Sequence, residues 1–342
     1  MRIFFFSMLL LSLWSCRSQK TQSPDNQKNE WTVGFYNVEN LFDTLDHPDK
    51  IDEEFLPGSD LGWNSSLYQQ KLANLSRAIS SMGNGGPDVL GVAEVENATV
   101  LQDLAAALPG RRYGVVHEES PDMRGIDVGL LYDKNRFTYV GHVAAEVDFP
   151  AEPDYTSRKI LLVEGKLKKE TVYVLVNHWP SRYGGAEKSE PRRMQAATVA
   201  RALIDSIRQL TPDAHLMVMG DFNDDPFNRS LTKGLNSQKI AESMPSDGLY
   251  SPFWRMHQVD SVGTLTYRGK WNLFDQILLS PSLLDEQGLE YQIGSAYIHR
   301  PEFMQVGGDG RAKDMPRRAI YRGEFQERGF SDHFPVMVTV GK

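Results

Sequence analysis

The sequence Leu-Met-Val-Met-Gly-Asp-Phe-Asn, residues 216–223, organises the rest of the chain. It begins as an apolar run without alternation, which predicts a short strand buried on both faces. Asp221 and Asn223 follow its carboxyl end, the edge at which open α/β sheets bind ligands. A carboxylate and a carboxamide at that edge supply a base and a group that holds a developing oxyanion. Taken alone, the same residues are also typical of a plain turn, so the rest of the sequence is needed to choose between a functional site and a turn.

Composition predicts a globular protein with a substantial core. The chain has 342 residues, of which 24% are charged and 40% hydrophobic, values typical of folded domains. The net charge of -8 excludes a protein that traps nucleic acid over its whole surface but leaves a local basic rim open. We find no repeat and no internal linker, so residues 31–342 are predicted to form one catalytic domain, expected to be a monomer.

The first thirty residues predict export. Residues 1–15 contain Arg2 and an apolar run too short to span a membrane, which is typical of a signal peptide. The run closes in Leu-Trp-Ser-Cys at residues 13–16 and resembles a bacterial lipobox, which implies that Cys16 is lipidated. Residues 16–30 are then a flexible tether, and the expected location is extracytoplasmic, periplasmic or at the cell surface. An ordinary secretory signal is the alternative.

The order of elements indicates an α/β fold. Strands and helices alternate in the first third, whereas the middle is rich in short strands that should pair antiparallel. Residues 264–268 and 272–279 suggest a hairpin, and residues 300–328 read as a loop of mixed charge. The predicted strands are 31–37, 88–93, 113–117, 126–132, 137–143, 160–167, 172–177, 216–220 and 336–340, and the main predicted helices are 65–82, 98–108 and 188–210.

Polar side chains recur at the ends of these strands. The set comprises Asn37, Glu94, His178, Asp221, Asn223, Asp332 and His333. Asp275 interrupts an apolar run and therefore needs a partner, because an unpaired buried charge is costly. Oxygen donors without cysteine favour a hard cation, Mg²⁺ or Mn²⁺. A metal among carboxylates, amides and histidines suits phosphoryl chemistry, although a histidine that follows a strand is more often structural.

Six blocks, taken in order, resemble the endonuclease/exonuclease/phosphatase superfamily of metal-dependent phosphodiesterases and phosphatases, which includes deoxyribonuclease I-like enzymes. The resemblance implies a four-layer α/β sandwich, with two packed mixed or antiparallel β-sheets flanked by helices. The blocks are Phe-Tyr-Asn-Val-Glu-Asn at 35–40, Val-Ala-Glu-Val at 92–95, Val-Asn-His-Trp-Pro at 176–180, Gly-Asp-Phe-Asn at 220–223, Phe-Asp-Gln-Ile at 274–277 and Ser-Asp-His-Phe-Pro at 331–335.

The resemblance also implies a role for each polar residue. Glu94 resembles the principal metal ligand, Asn37 helps to position metal and phosphate, and Asp332 lies at or near the metal. Among the catalytic residues, Asp221 orients or deprotonates the attacking water and Asn223 holds a phosphate oxygen. The remaining catalytic residues are His178, His333 and Asp275. One histidine contacts the phosphate and either could give a proton to the leaving group, and the assignment between them is left open. Asp275 is the carboxylate that orients His333.

Four arginines are expected at the rim of the cleft, where they would bind phosphate bidentately. They are Arg158, Arg182, Arg193 and Arg268. The alternative is that each one pairs with a surface carboxylate. The predicted activity is hydrolysis of phosphoester bonds, with a nuclease as first expectation. A phosphatase or a sphingomyelinase-like phospholipid phosphodiesterase on the same site is the alternative, and a non-catalytic binding lipoprotein is the alternative of another class.

Overall fold

The computed structural model describes residues 29–259, 262–308 and 313–342. The predicted signal peptide, the predicted lipidation site Cys16 and most of the predicted tether lie outside the described residues. Among the helices that are described, none has both the length and the apolar character that crossing a membrane requires.

Eighteen strands and four α-helices make up the described part of the chain. The helices are α1 (Ser65–Ser80), α2 (Ala98–Ala107), α3 (Ala186–Leu210) and α4 (Trp254–Gln258). The strands are β1 (Glu30–Leu41), β2 (Val89–Val95), β3 (Tyr113–His117), β4 (Asp127–Asp133), β5 (Thr138–Ala145), β6 (Ile160–Leu167), β7 (Glu170–His178), β8 (His215–Asp221), β9 (Ser237–Gln238), β10 (Leu249–Tyr250), β11 (Leu265–Tyr267), β12 (Lys270–Asn272), β13 (Asp275–Leu279), β14 (Glu290–Tyr291), β15 (Tyr297–Ile298), β16 (Ile320–Tyr321), β17 (Glu324–Phe325) and β18 (Val336–Gly341).

Two large mixed sheets form the centre of the fold. The first has the strand order β14-β18-β1-β2-β4-β3, with β15 also beside β18, and the second has the order β5-β6-β7-β8-β13-β10-β9. Strands β1 and β2 are parallel, as are β7 and β8, because α1 and α3 return the chain to the same edge of each sheet. All other pairs of long strands are antiparallel.

Three apolar layers hold the sandwich together. Phe35, Val174, Met219 and Val338 pack between the two sheets. A second cluster lies between the first sheet and helices α1 and α2, and a third lies between the second sheet and α3. Each such side chain contributes about 1.5–3 kcal/mol when fully buried. The predicted four-layer α/β sandwich is confirmed.

The predicted hairpin at residues 264–279 is wrong in its pairing. Strand β11 pairs with β12 as a small separate hairpin, whereas β13 pairs with β8 in the second sheet. Every residue of β13 is buried, so its apolar run is satisfied inside the sandwich and not in an exposed hairpin. The segment predicted as a loop at 300–328 also contains the β16–β17 hairpin and a short 3₁₀ turn at Glu302–Met304.

Candidate active site

The predicted site residues meet at one edge of the sandwich. The carboxyl ends of the parallel strands β1, β2, β7 and β8 lie there, together with the amino ends of the antiparallel strands β13 and β18. Asp221 is paired in register with both His178 and Asp275. Strand direction alone therefore brings together polar groups as far apart in the chain as Asn37 and His333.

One amide joins the two central carboxylates. Asn37 Nδ2 donates to Glu94 Oε1 and to Asp221 Oδ2, both at 3.1 Å. Asn37 Oδ1 accepts from the backbone N–H of Glu39 at 3.0 Å, which fixes which end of the amide is oxygen. Asn37, predicted to help position metal and phosphate, thus presents its nitrogen to the site and orients the two carboxylates.

A bulge at the end of β1 builds this arrangement. The pairing of β1 with β2 shifts register between Asn37 and Leu41, and Glu39, Asn40 and Glu94 all have positive φ angles of 52°, 54° and 65°. Such left-handed conformations are unusual for residues other than glycine and mark a locally strained backbone. They allow the backbone N–H of Asn40 to donate to Glu94 Oε2 at 3.1 Å, so both oxygens of Glu94 are held.

A buried histidine–aspartate pair lies beside the carboxylates. His333 Nδ1 is 2.7 Å from Asp275 Oδ2, and the other ring nitrogen lies 3.9 Å from Asp221 Oδ2. Ser331 Oγ accepts from the backbone N–H of His333 and donates to the carbonyl of Asn37. Burial alone lowers the pKa of His333, but the surrounding carboxylates, Asp275 foremost, outweigh it and raise the pKa well above its ordinary value. The predicted partner of Asp275 is therefore present.

The pKa of Asp221 is raised to about 7. Burial is the main cause, and the charges of Asp275 and Glu94 add to it, whereas His333 and the backbone N–H of Asn223 lower the pKa. A carboxyl group that titrates near neutral pH is matched to accepting a proton in a hydrolytic reaction.

His178 behaves in the opposite way to His333. Its Nε2 lies 3.6 Å from Asp221 Oδ2 and 3.8 Å from Glu94 Oε1, distances too long for hydrogen bonds. Burial, followed by the charge of Arg158, lowers the pKa of His178 well below its ordinary value, so we take the ring as neutral. Its Nδ1 is buried and makes no hydrogen bond with any residue that the structure describes.

The two remaining predicted residues lie at the mouth of the site. Asn223 has a positive φ of 50°; its N–H donates to Asp221 Oδ1, and its side-chain amide donates to the carbonyl of Trp179. Asp332 lies 3.9 Å from His333 Nε2 and 3.5 Å from Arg318 Nη2. Asp332 is the more exposed of the two.

Two of the four predicted rim arginines are not at the rim. The Arg158 guanidinium is buried and donates to the backbone carbonyls of His178 and Trp179 as well as to Asp122. It fixes the end of β7 from behind the site. Arg193 is 1% exposed and forms an ion pair with Asp224 at 2.8 Å. Its charge is therefore paired inside the protein and does not reach the rim.

The other two predicted rim arginines, Arg182 and Arg268, differ from each other in exposure. Arg182 is half-buried: it donates to the carbonyl of Asn223, pairs with Asp224 and Asp225, and lies over the ring of Phe274. It shapes the Gly-Asp-Phe-Asn loop. Of the four, Arg268 alone is exposed, in the turn between β11 and β12, so its rim position stays a prediction.

A buried lysine and glutamate beside the site were missed. Lys71 Nζ is 1% exposed and donates to the backbone carbonyl of Glu39, and Glu39 Oε2 accepts from the backbone N–H of Ala319 at 2.6 Å. The signal was present in the sequence, because Lys71 falls on the same helical face as Tyr68, Leu72 and Leu75, where a charge must have a partner.

The donor set fits a hard divalent cation. Asp221, Asp275 and His333 form one of two groups of potential metal ligands among the described residues; the other is His117, Glu119 and Asp127. Because Asp275 and His333 bind each other, Asp221 is the member of the first group that remains for an ion, and the Asn37 amide holds Glu94 beside it. Carboxylate oxygens without sulfur are the ligands that Mg²⁺ and Mn²⁺ prefer.

Comparison with known proteins agrees with this geometry. The model of the endonuclease/exonuclease/phosphatase family matches residues 32–342. The chain belongs to this family. No curated protein matches the chain.

Solved structures share the fold at low sequence identity. Truncated Caenorhabditis elegans TDP2 has 15% identity and a TM-score of 0.54, over 92% of this chain and 98% of that one. D. rerio TDP2 complexed with a single-strand DNA product has 14% identity and a TM-score of 0.56, over 92% and 99%. The Bacteroides thetaiotaomicron mannosyl-6-phosphatase has 17% identity and a TM-score of 0.54, over 91% and 100%. At these identities the likeness concerns the fold.

Proposed function

We propose that this family member is a divalent-metal-dependent hydrolase that cleaves phosphoester bonds by in-line attack of water. The observation that carries the proposal is the Asn37 amide, which ties Glu94 to Asp221 next to the His333–Asp275 pair. A binding protein without catalysis would need neither a carboxyl group poised near neutral pH nor a buried cationic histidine facing it.

The residues divide the reaction between them. Asp221, with a pKa of about 7, orients the attacking water and accepts its proton. His333 donates from Nε2 to a phosphate oxygen, with Asp275 holding its tautomer and charge. The side-chain amide of Asn223 supplies a second donor to the phosphate. Because the pKa shifts of the two rings are opposite, His333 is favoured over His178 as the cationic contact to the phosphate.

Glu94 would hold Mg²⁺ or Mn²⁺, with Asp221 and Asp332 nearest to it and Asn37 orienting the carboxylates. When bound, the cation neutralises charge on the non-bridging oxygens of the phosphate. Residues 31–342 would contain the whole site, so the catalytic unit is proposed to act as a monomer.

For the substrate we propose a nucleic acid first. One structural neighbour is bound to single-strand DNA product, and Arg268 and Lys270 are exposed on the hairpin that precedes Asp275. A small phosphomonoester is the second candidate, because another neighbour is a mannosyl-6-phosphatase and the net charge of -8 disfavours long polyanions. A phospholipid headgroup is the third.

A substrate panel tests these proposals. The protein would be incubated with EDTA, Mg²⁺ or Mn²⁺ and with DNA, RNA, phospholipid, mannose 6-phosphate and bis(4-nitrophenyl) phosphate. We expect hydrolysis only with metal, and on DNA a steep fall of the rate with rising salt. A flat salt response would favour the small ester. Metal-independent hydrolysis, or hydrolysis of no member of the panel, would contradict the function.

The lipid anchor remains a separate proposal, with an extracytoplasmic location. Metabolic labelling of bacteria with a palmitate analogue should label the full chain but not the Cys16→Ala variant. Equal labelling of both proteins, or no labelling of either, would contradict lipidation at Cys16.

A further inference from the structure

A cavity of about 850 Å³ opens next to the catalytic edge. Its walls come mainly from the 300–329 segment, with one residue from β11. We call it the 315–329 pocket, after Thr266, Met315, Arg318, Tyr321, Phe325 and Arg328, which line it with neighbouring residues. Its volume lies in the range of clefts that bury an organic ligand, and its lining combines apolar side chains with three arginines and two glutamates.

The 315–329 pocket is continuous with the catalytic residues. Arg318, in its wall, lies 3.5 Å from Asp332. Gly329 lines the pocket, and Ser331, two residues further on, donates to the carbonyl of Asn37. A group esterified to a phosphate held by His333 would therefore point toward this cavity.

Glu39 holds the wall of the pocket to the catalytic strand. Its carboxylate accepts from the backbone N–H groups of Ala319 and Ile320, at 2.6 and 3.3 Å. On the far side, Phe325 packs edge-on against Trp63, with ring centroids 5.5 Å apart. The wall is thus preformed, which reduces the entropy lost when a ligand binds.

The wall is basic in a protein that is otherwise acidic. Residues 313–328 contain five Lys or Arg and three Asp or Glu, a local charge of +2 against -8 for the whole chain. The Arg317 guanidinium donates hydrogen bonds to the backbone carbonyls of Gln305 and Val306. Arg328 is exposed and makes no ion pair or hydrogen bond with any residue that the structure describes, and the ring of Tyr321 is 48% exposed beside it.

We propose that the 315–329 pocket is a subsite for a nucleoside attached to the scissile phosphate, with Tyr321 stacking on the base and Arg328 binding a second phosphate. An exposed aromatic ring and an unpaired cation are the groups with which proteins bind single-stranded nucleotides. The inference rests on the proposed hydrolysis of phosphoesters and adds to it the residues that select the organic group.

Three chromogenic esters with the same leaving group test the pocket with the full chain and Mn²⁺. They are methyl 4-nitrophenyl phosphate, thymidine 5′-(4-nitrophenyl phosphate) and the latter with a 3′-phosphate. We expect kcat/KM to rise about 5- to 100-fold with the nucleoside, in line with the usual contribution of base stacking, and to rise again with the 3′-phosphate.

Surface variants separate the two contacts. Tyr321→Ala should remove most of the gain from the nucleoside, and Arg328→Ala should remove only the gain from the 3′-phosphate. Both should leave the methyl ester unchanged. Lys313→Ala is the matched control, because Lys313 is exposed on the same segment but does not line the pocket; it should change none of the three rates.

Several outcomes would overturn the subsite. Equal rates on the methyl and thymidine esters, or the same losses in the Lys313→Ala control, would contradict it while leaving the phosphoesterase intact. If no ester is hydrolysed, the proposed function fails, and calorimetric titration with thymidine 3′,5′-bisphosphate then decides. Binding to the wild type that Tyr321→Ala weakens would still support the pocket, and no binding to the wild type would overturn it.

Discussion

The Asp275→Asn variant tests the histidine–aspartate pair. The change keeps the shape of the side chain but removes a charge that lies 2.7 Å from His333 Nδ1 and is fully buried. The amide oxygen can still accept from Nδ1, so what is lost is the ionic part of the hydrogen bond. Hydrogen bonds to charged groups contribute about 1.5–3 kcal/mol, which corresponds to a fall in kcat of about 10- to 150-fold.

The same change should leave the fold intact. Asp275 Oδ1 makes no hydrogen bond with any described residue, so a buried charge is removed without breaking a second contact. The amide NH₂ that replaces Oδ1 has no acceptor among the described residues, so we expect the free energy of unfolding in urea to fall by about 1–3 kcal/mol with the protein still folded. The pKa of His333 should fall, because Asp275 is the foremost of the carboxylates that raise it.

Initial rates on bis(4-nitrophenyl) phosphate at saturating Mn²⁺, together with urea unfolding, provide the assay. Asp127→Asn is the matched control: Asp127 is also buried, and its Oδ2 lies 3.0 Å from His117 Nε2, outside the catalytic group. Its turnover should equal that of the wild type. Near-normal turnover of Asp275→Asn would refute the role of the pair, and equal losses in both variants would attribute the effect to general destabilisation.

Three further predictions follow from the same contacts. Glu94→Ala should raise the metal concentration for half-maximal rate by at least about tenfold, as measured by Mn²⁺ titration; a rate loss that ignores metal concentration would contradict the ligand assignment. Arg193→Met removes one of the two cations that pair with the buried Asp224, Arg182 being the other, and should cost about 1–3 kcal/mol of unfolding free energy; a urea midpoint equal to that of the wild type would argue against this. Burial lowers the pKa of His299 to about 4, so between pH 6.5 and 4 the unfolded state binds more protons than the folded state. The free energy of unfolding in urea should therefore decrease as the pH is lowered from 6.5 to 4, and it should decrease less in His299→Gln.

The location of the site could be predicted because it depends on strand direction. Each predicted polar residue follows or precedes a buried strand, and β1, β2, β7 and β8 point their carboxyl ends to one edge. Buried charge was equally informative: Asp275 required a partner, and His333 is that partner. Such requirements follow from local sequence and do not depend on the details of packing.

Other features depend on contacts that only the fold defines. Arg158 and Arg193 look like surface cations in sequence, but backbone carbonyls and Asp224 hold them inside the protein. The donor role of Asn37 depends on the N–H of Glu39 in a bulge, which no spacing reveals. Likewise, the sequence allows β13 to pair with the strand that precedes it, but in the structure β13 pairs with β8 inside the sandwich.

The proposed mechanism requires that Glu94 bind a catalytic cation beside Asp221 and His333. Anomalous diffraction from crystals soaked with Mn²⁺ would locate that ion. We expect a peak about 2.0–2.3 Å from a carboxylate oxygen of Glu94, a distance typical of small divalent cations. A peak only at His117, Glu119 and Asp127, or none near Glu94 in a protein whose activity responds to Mn²⁺, would contradict it.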